Sequence, residues 1–130
     1  MKATELMVGD WVLYGEKPRQ VRYINDRVWW DGSCHNDEIG FTHHEDEWIA
    51  AHNAKPISLT PEMLVRNGWK ETQYWHEYQD GKNTIQCCLP DMRGSINGIE
   101  IEYFKCEYVH QYQHLLRLCG LDELADNFKI

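Results

Sequence analysis

A chain of 130 residues is long enough for one compact domain, or for two very small subdomains, and a chain of that size buries roughly two thirds of its unfolded surface. Hydrophobic residues make up 42% and aromatics 12%, with six tryptophans and seven tyrosines, which excludes wholesale disorder. The net charge of −8, divided equally between residues 1–55 and 56–130, leaves neither half a basic arm and argues against ordinary non-specific nucleic-acid binding.

The segment Met1-Lys2-Ala3-Thr4-Glu5-Leu6 has no apolar core of the signal-peptide kind, so none is expected. No run approaches the roughly 20 apolar residues of a membrane span. The five cysteines lack framework spacing, since Cys87 and Cys88 are adjacent while Cys34, Cys106 and Cys119 stand alone. Free thiols in a reducing cytoplasm are the expectation.

Short strands are predicted first. Leu6–Tyr14 ends at the turn Gly15-Glu16-Lys17-Pro18, and Arg19–Ile24 alternates in a β-like way. Asn25-Asp26 reads as a turn, and Arg27–Trp30 as a third strand closed by Asp31-Gly32. Glu38–Phe41 and Glu47–Ile49 are weaker strand candidates. A lone hairpin buries too little in water, so strands this closely spaced point to a small barrel. Residues 50–58 connect to a short helix that starts at Thr60-Pro61-Glu62, with Thr as N-cap and Pro at the first helical position. Gly68 stops it, and Trp69 follows where a C-terminal hydrophobic contact belongs.

Residues 70–105 return to β structure. Glu71–Tyr78, Thr84–Leu89 and Gly98–Lys105 read as strands, with a hairpin turn at Asp80-Gly81 and an irregular loop over Pro90–Asn97. Tyr108–Cys119 is the strongest helix, with Val109, Tyr112, Leu115, Leu116 and Cys119 on one apolar stripe and Gly120 as its stop. The tail from Leu121 to Ile130 is part helix, with a strand as the alternative at its end.

Candidate sites are few. His110 and His114, four apart on a helix, share a polar face with Gln113 and Arg117. Such a pair can bind zinc, but the H-E-x-x-H glutamate is missing and a solvated polar stripe is the simpler reading. Cys34-His35 and His43-His44-Glu45 carry zinc-ligand types without C-x-x-C spacing, amid five acidic residues. No G-x-S-x-G, P-loop or G-x-G-x-x-G occurs, so neither a metal nor a cofactor is expected. Lys17, Arg19, Arg22 and Arg27 lie close in sequence to Trp11, Tyr23, Trp29 and Trp30, an interleaving that suits single-stranded nucleic acid. The acidic total favours a charge-balanced strand face instead. Trp29 and Trp30 are adjacent on a strand and point to opposite faces, so one of them packs elsewhere or anchors a partner. With Trp11 and Trp48 they are the candidate protein-binding residues.

Three stretches resemble one pattern. Val8-Gly9-Asp10-Trp11-Val12-Leu13-Tyr14 looks like an opening "R-I-G-N-Y-V". Ile57-Ser58-Leu59-Thr60-Pro61-Glu62 with Leu64 and Asn67-Gly68-Trp69 looks like "I-P-L-T-E-E-x-L-x-x-N-G-F". Tyr108-Val109-His110-Gln111-Tyr112-Gln113-His114-Leu115 looks like "Y-V-H-Q-L-Q-N-L", with His114 where the pattern has Asn. In this order they resemble short uncharacterised proteins of gut Bacteroidetes, their phages and mobile elements. The resemblance implies no activity. It implies a context in which small binding modules act on host or viral machinery, and an acidic inhibitor of a defence nuclease is the analogy that fits the charge.

The expected fold is therefore α+β: an SH3-like small β-barrel over residues 1–55, then a helix, a three-stranded antiparallel sheet and a C-terminal amphipathic helix over residues 56–130, the whole packed as one unit. The expected function is a non-enzymatic protein-binding module without cofactor. The alternatives are a nucleic-acid accessory using residues 17–27 and a hydrolase with an unrecognised site near His110 or Cys34.

Overall fold

The computed structural model describes residues 1–28, 35–41, 48–81, 83–96 and 98–130. The chain divides into two compact units, Met1–Ile57 and Ser58–Ile130. Both are built of antiparallel strands with a few short helices, an α+β architecture. Among the described residues no helix is long and apolar enough to cross a membrane.

The amino-terminal unit begins with a 3-10 turn at Ala3–Glu5 and then lays down β1 (Trp11–Tyr14), β2 (Lys17–Gln20), β3 (Tyr23–Val28), β4 (His35–Gly40), β5 (Trp48–Ala50) and β6 (Lys55–Pro56). They form two three-stranded sheets, ordered β2-β1-β6 and β3-β4-β5, with no closed barrel among the described residues. The segment Arg19–Ile24, predicted as one strand, is split at Val21-Arg22, where the chain leaves one sheet for the other. Val21 is wholly buried and its N–H donates to Asp10 O at 2.8 Å, while the Arg22 N–H donates to Gly40 O at 2.8 Å. Asn25-Asp26, predicted as a turn, lie inside β3, paired with Glu38 and Asp37. Their turn propensity yields to the ladder with β4. The core is made of small aliphatic side chains: Ala3, Leu6, Val12, Val21, Ile39, Ala51 and Ala54.

The carboxy-terminal unit starts with α1 (Pro61–Arg66). Thr60 Oγ1 accepts from the Met63 N–H at 3.3 Å, as its N-cap role requires. Gly68, at φ 93°, ends the helix, with the Trp69 N–H returned to Leu64 O at 3.0 Å. Five strands follow: β7 (Lys70–Glu71), β8 (His76–Asp80), β9 (Asn83–Cys88), β10 (Asp91–Ile96) and β11 (Ile99–Lys105), in the order β11-β10-β9-β8-β7. Three strands were expected here and five are present, for two local reasons. Glu71–Tyr78 is broken by a tight turn in which the Thr72 N–H and Oγ1–H both donate to Trp75 O, at 2.8 and 2.7 Å. Pro90–Asn97 carries the proline and glycine of a loop, yet Asp91–Ile96 is a central strand. Gly94 is needed there because a Cβ would lie 2.0 Å from Thr84 O on β9.

The chain closes with α2 (Val109–Leu118), stopped at Gly120 with φ 77°, and α3 (Asp122–Asp126). Leu115, Leu116 and Val109 of α2 are buried as the periodicity predicts. Phe128, three percent exposed, packs edge-on against Tyr112, and no strand ends the tail.

Candidate functional site: the open face of the carboxy-terminal sheet

The predicted polar face of α2 is largely a bracing surface. Gln113 is fully buried and its amide donates to Ala125 O at 2.9 Å, tying α3 to α2. His110 is 7% exposed, stacked on Tyr108 at 5.9 Å and edge-on to His114 at 5.7 Å. Arg117 reaches Asp126 at 3.3 Å, a surface pair worth little. The four residues therefore do not form one solvent-facing stripe. The fold wraps α3 and the tail over the side that a two-faced helix would leave in water.

The remaining motif residues serve the same end. Gln111 Oε1 accepts the Glu107 and Tyr108 N–H groups at 2.9 and 3.1 Å, capping α2. Asn67 donates to Lys129 O and accepts from the Lys129 N–H, both at 2.7 Å, clamping the chain end to α1. The Trp69 indole donates to the Tyr112 hydroxyl at 2.9 Å in the core. Burial pushes the Tyr112 hydroxyl well above its ordinary range, against the smaller opposing effect of that bond.

In the amino-terminal unit, Arg19 lies over Phe41 at 4.9 Å and Tyr14 tilts against the same ring at 5.6 Å. Lys17 and Arg22 are exposed, and Arg22 donates to Gln20 Oε1 at 2.8 Å. Trp11 and Trp48 are half-buried, and Trp48 meets Tyr23 edge-on at 6.1 Å. Arg27 stands in β3 at the register position of Asn36. Trp29, Trp30, Cys34, His43 and His44 lie outside the described residues.

A site the sequence did not mark lies on the sheet itself. Alternation sends Asn83, Ile85 and Cys87 of β9 and Met92 and Ile96 of β10 inward. The inward face is covered in part by Trp69, just beyond α1, which packs on Tyr78 at 5.8 Å and on Tyr112 of α2 at 5.9 Å. Gln86, Cys88, Asp91, Arg93 and Ser95 point the other way, and the register sets Arg93 beside Gln86 and Asp91 beside Cys88. Two depressions meet on this face. The first, about 250 Å³, is lined by Trp75, Gln86, Cys87, Cys88, Asp91, Met92 and Arg93. The second, about 530 Å³, shares Gln86 and Arg93 and runs on along Gly94, Ser95, Gly98, Glu100, Ile101 and Glu102.

No family model and no solved structure matches the chain. A stretch of 89 residues, 64% of the chain, is 29% identical to the carbamoyl phosphate synthase arginine-specific large chain of Cutaneotrichosporon cutaneum. The match covers 8% of that protein's length and carries no activity to this chain.

The wall of the first depression is held rigidly. The Thr72–Trp75 turn fixes the backbone, and the Cys88 thiol donates to Tyr74 O at 3.3 Å. The Trp75 indole nitrogen is enclosed without a hydrogen-bond partner among the described residues, a costly state for a donor. Burial and the neighbouring Cys88 and Asp91 push the Cys87 thiol from 9.0 up to about 12, and burial does the same to Cys106. These thiols are held protonated and are poor nucleophiles. Among the described residues no group of three or more His, Cys, Asp or Glu side chains is placed to hold a metal ion. The arrangement offers an apolar notch, a guanidinium, an amide and carboxylates along one surface, which suits recognition.

Proposed function

We propose that the chain is a non-enzymatic protein-binding module, an inhibitor or adaptor of phage or mobile-element type acting on host machinery. In this reading the partner seats on the open face of the carboxy-terminal sheet, and the amino-terminal unit is an SH3-like small barrel whose half-buried Trp11 and Trp48 are a candidate binding surface of its own. The observation that carries the reading is the pair of joined depressions around Gln86 and Arg93, on the face turned away from the helices. Its support also includes what the α2 residues do: His110 is nearly buried in ring contacts and Gln113 is tied to α3. The three-motif resemblance supplies the biological context.

The test is affinity purification of the tagged chain from its native host, in parallel with a Trp75→Ala, Gln86→Ala variant, with mass spectrometry of the eluate. A stoichiometric protein partner, lost in the variant, is expected. Retention of that partner by the variant would remove the sheet face from the proposal.

A second reading draws on Arg19 over Phe41 beside exposed Lys17 and Arg22, a basic and aromatic patch fit to stack a single strand. It predicts salt-sensitive binding to single-stranded oligonucleotides that disappears on changing Arg19 and Arg22. Binding that ignores salt, or survives both changes, would dismiss it.

A further inference from the structure

The two ends of the sheet groove differ in chemistry. At the end nearest β8 stand Trp75 and the wall built on Cys88, an apolar notch. At the β11 end stand Glu100 and Glu102, both exposed, with Arg93 between the ends and Asp91 beside it. The lining is thus acidic on balance, on a chain whose net charge is −8. Crossing from β8 to β11 spans three strand intervals, roughly 14 Å, which an extended chain covers in about four to five residues.

The geometry points to a basic, extended peptide segment as the occupant, with one large apolar side chain in the Trp75 notch and cationic side chains over Glu100 and Glu102. This rests on the protein-binding reading above and names its partner's chemistry. Arg93 repels a cation placed directly over it, which assigns the partner's charges to the β11 end and its apolar group to the other. The partner lies across the face and does not extend the sheet. β11 is an edge strand, but its register with β10 shifts between Met92 and Gly94, and a bulge beside charged side chains blunts an edge against strand addition.

The experiment is a nitrogen-15 NMR titration of the full chain with the acetylated, amidated peptide Phe-Gly-Lys-Gly-Lys, and separately with Phe-Gly-Glu-Gly-Glu. The lysine peptide is expected to shift the Trp75 indole N–H and the amides of Gln86, Arg93 and Glu100 saturably. Its affinity should fall about tenfold or more on Glu100→Lys with Glu102→Lys, both at exposed positions, and should fall again as salt rises. Trp75→Ala should abolish the response. Saturable groove shifts from the glutamate peptide alone would overturn the basic partner while leaving a binding face in place. Equal binding of both peptides, or no groove response to the lysine peptide, would overturn the inference. The purification with the Trp75 and Gln86 variant judges the broader reading independently.

Discussion

The two units place their aromatic residues in opposite ways. The amino-terminal unit fills its core with alanine, valine, leucine and isoleucine, and Trp11, Tyr14, Tyr23, Phe41 and Trp48 stay at its rim. The carboxy-terminal unit sinks Trp69, Tyr112 and Phe128 into its interior, where the Trp69 indole N–H donates to the Tyr112 hydroxyl. A buried tryptophan or tyrosine usually finds a partner for its N–H or O–H. Tryptophan number alone therefore does not separate packing from binding; the neighbouring polar groups decide.

This contrast can be broken most forcefully at Gly94. Gly94→Ala drives a Cβ into the β9 backbone and is expected to cost on the order of 4 kcal/mol or to prevent folding of the carboxy-terminal unit. Urea unfolding measures it, and amide exchange should accelerate first in β9 and β10. Leu116→Ala, at a fully buried position on α2, should cost about 3 kcal/mol, and a cost under half a kcal/mol would place that stripe in solvent.

In the amino-terminal unit the comparable polar brace is Asp10, fully buried, whose carboxylate accepts from the Met7 N–H at 2.7 Å. Asp10→Ala should cost roughly 2 kcal/mol, again by urea unfolding. Unchanged stability would mean that this unit does not depend on buried polar contacts.

Alkaline pH sharpens the difference further, because the described cysteines all lie in the carboxy-terminal unit. For Cys87 and Cys106 the folded-state pKa is raised, so the neutral thiol is the form the fold favours. Their contribution to stability is complete below about pH 9 and is lost as pH rises from there toward about 12. At pH 10 only the start of that window is entered and the fall in melting temperature should be modest. Cys106→Ala should flatten it, and an unchanged slope would show that other groups govern it.

Helix ends were the most legible part of the sequence. Thr60-Pro61, Gly68 and Gly120 act as their local chemistry dictates, since a cap is decided within a few residues. The loop at 90–97 was misread because Pro90 and Gly94 carry the same local signal whether the chain turns or one backbone must pass close to another. The α2 face was misread because two-faced periodicity cannot register a later segment folding back: nothing near Gln113 announces Ala125 as its partner. The sheet groove was invisible for a similar reason. Gln86 and Arg93 come from separate strands, set side by side by the register, and Trp75 comes from the turn before β8.

The central claim is that the polar residues of α2 hold the fold and leave recognition to the opposite face of the sheet. Gln113→Ala tests it most directly, through the free energy of unfolding in urea. The buried Ala125 carbonyl would lose its donor, and a loss of about 1–3 kcal/mol is expected. A change under about half a kcal/mol would contradict the claim and return Gln113, with His110, to the set of residues free to meet a partner.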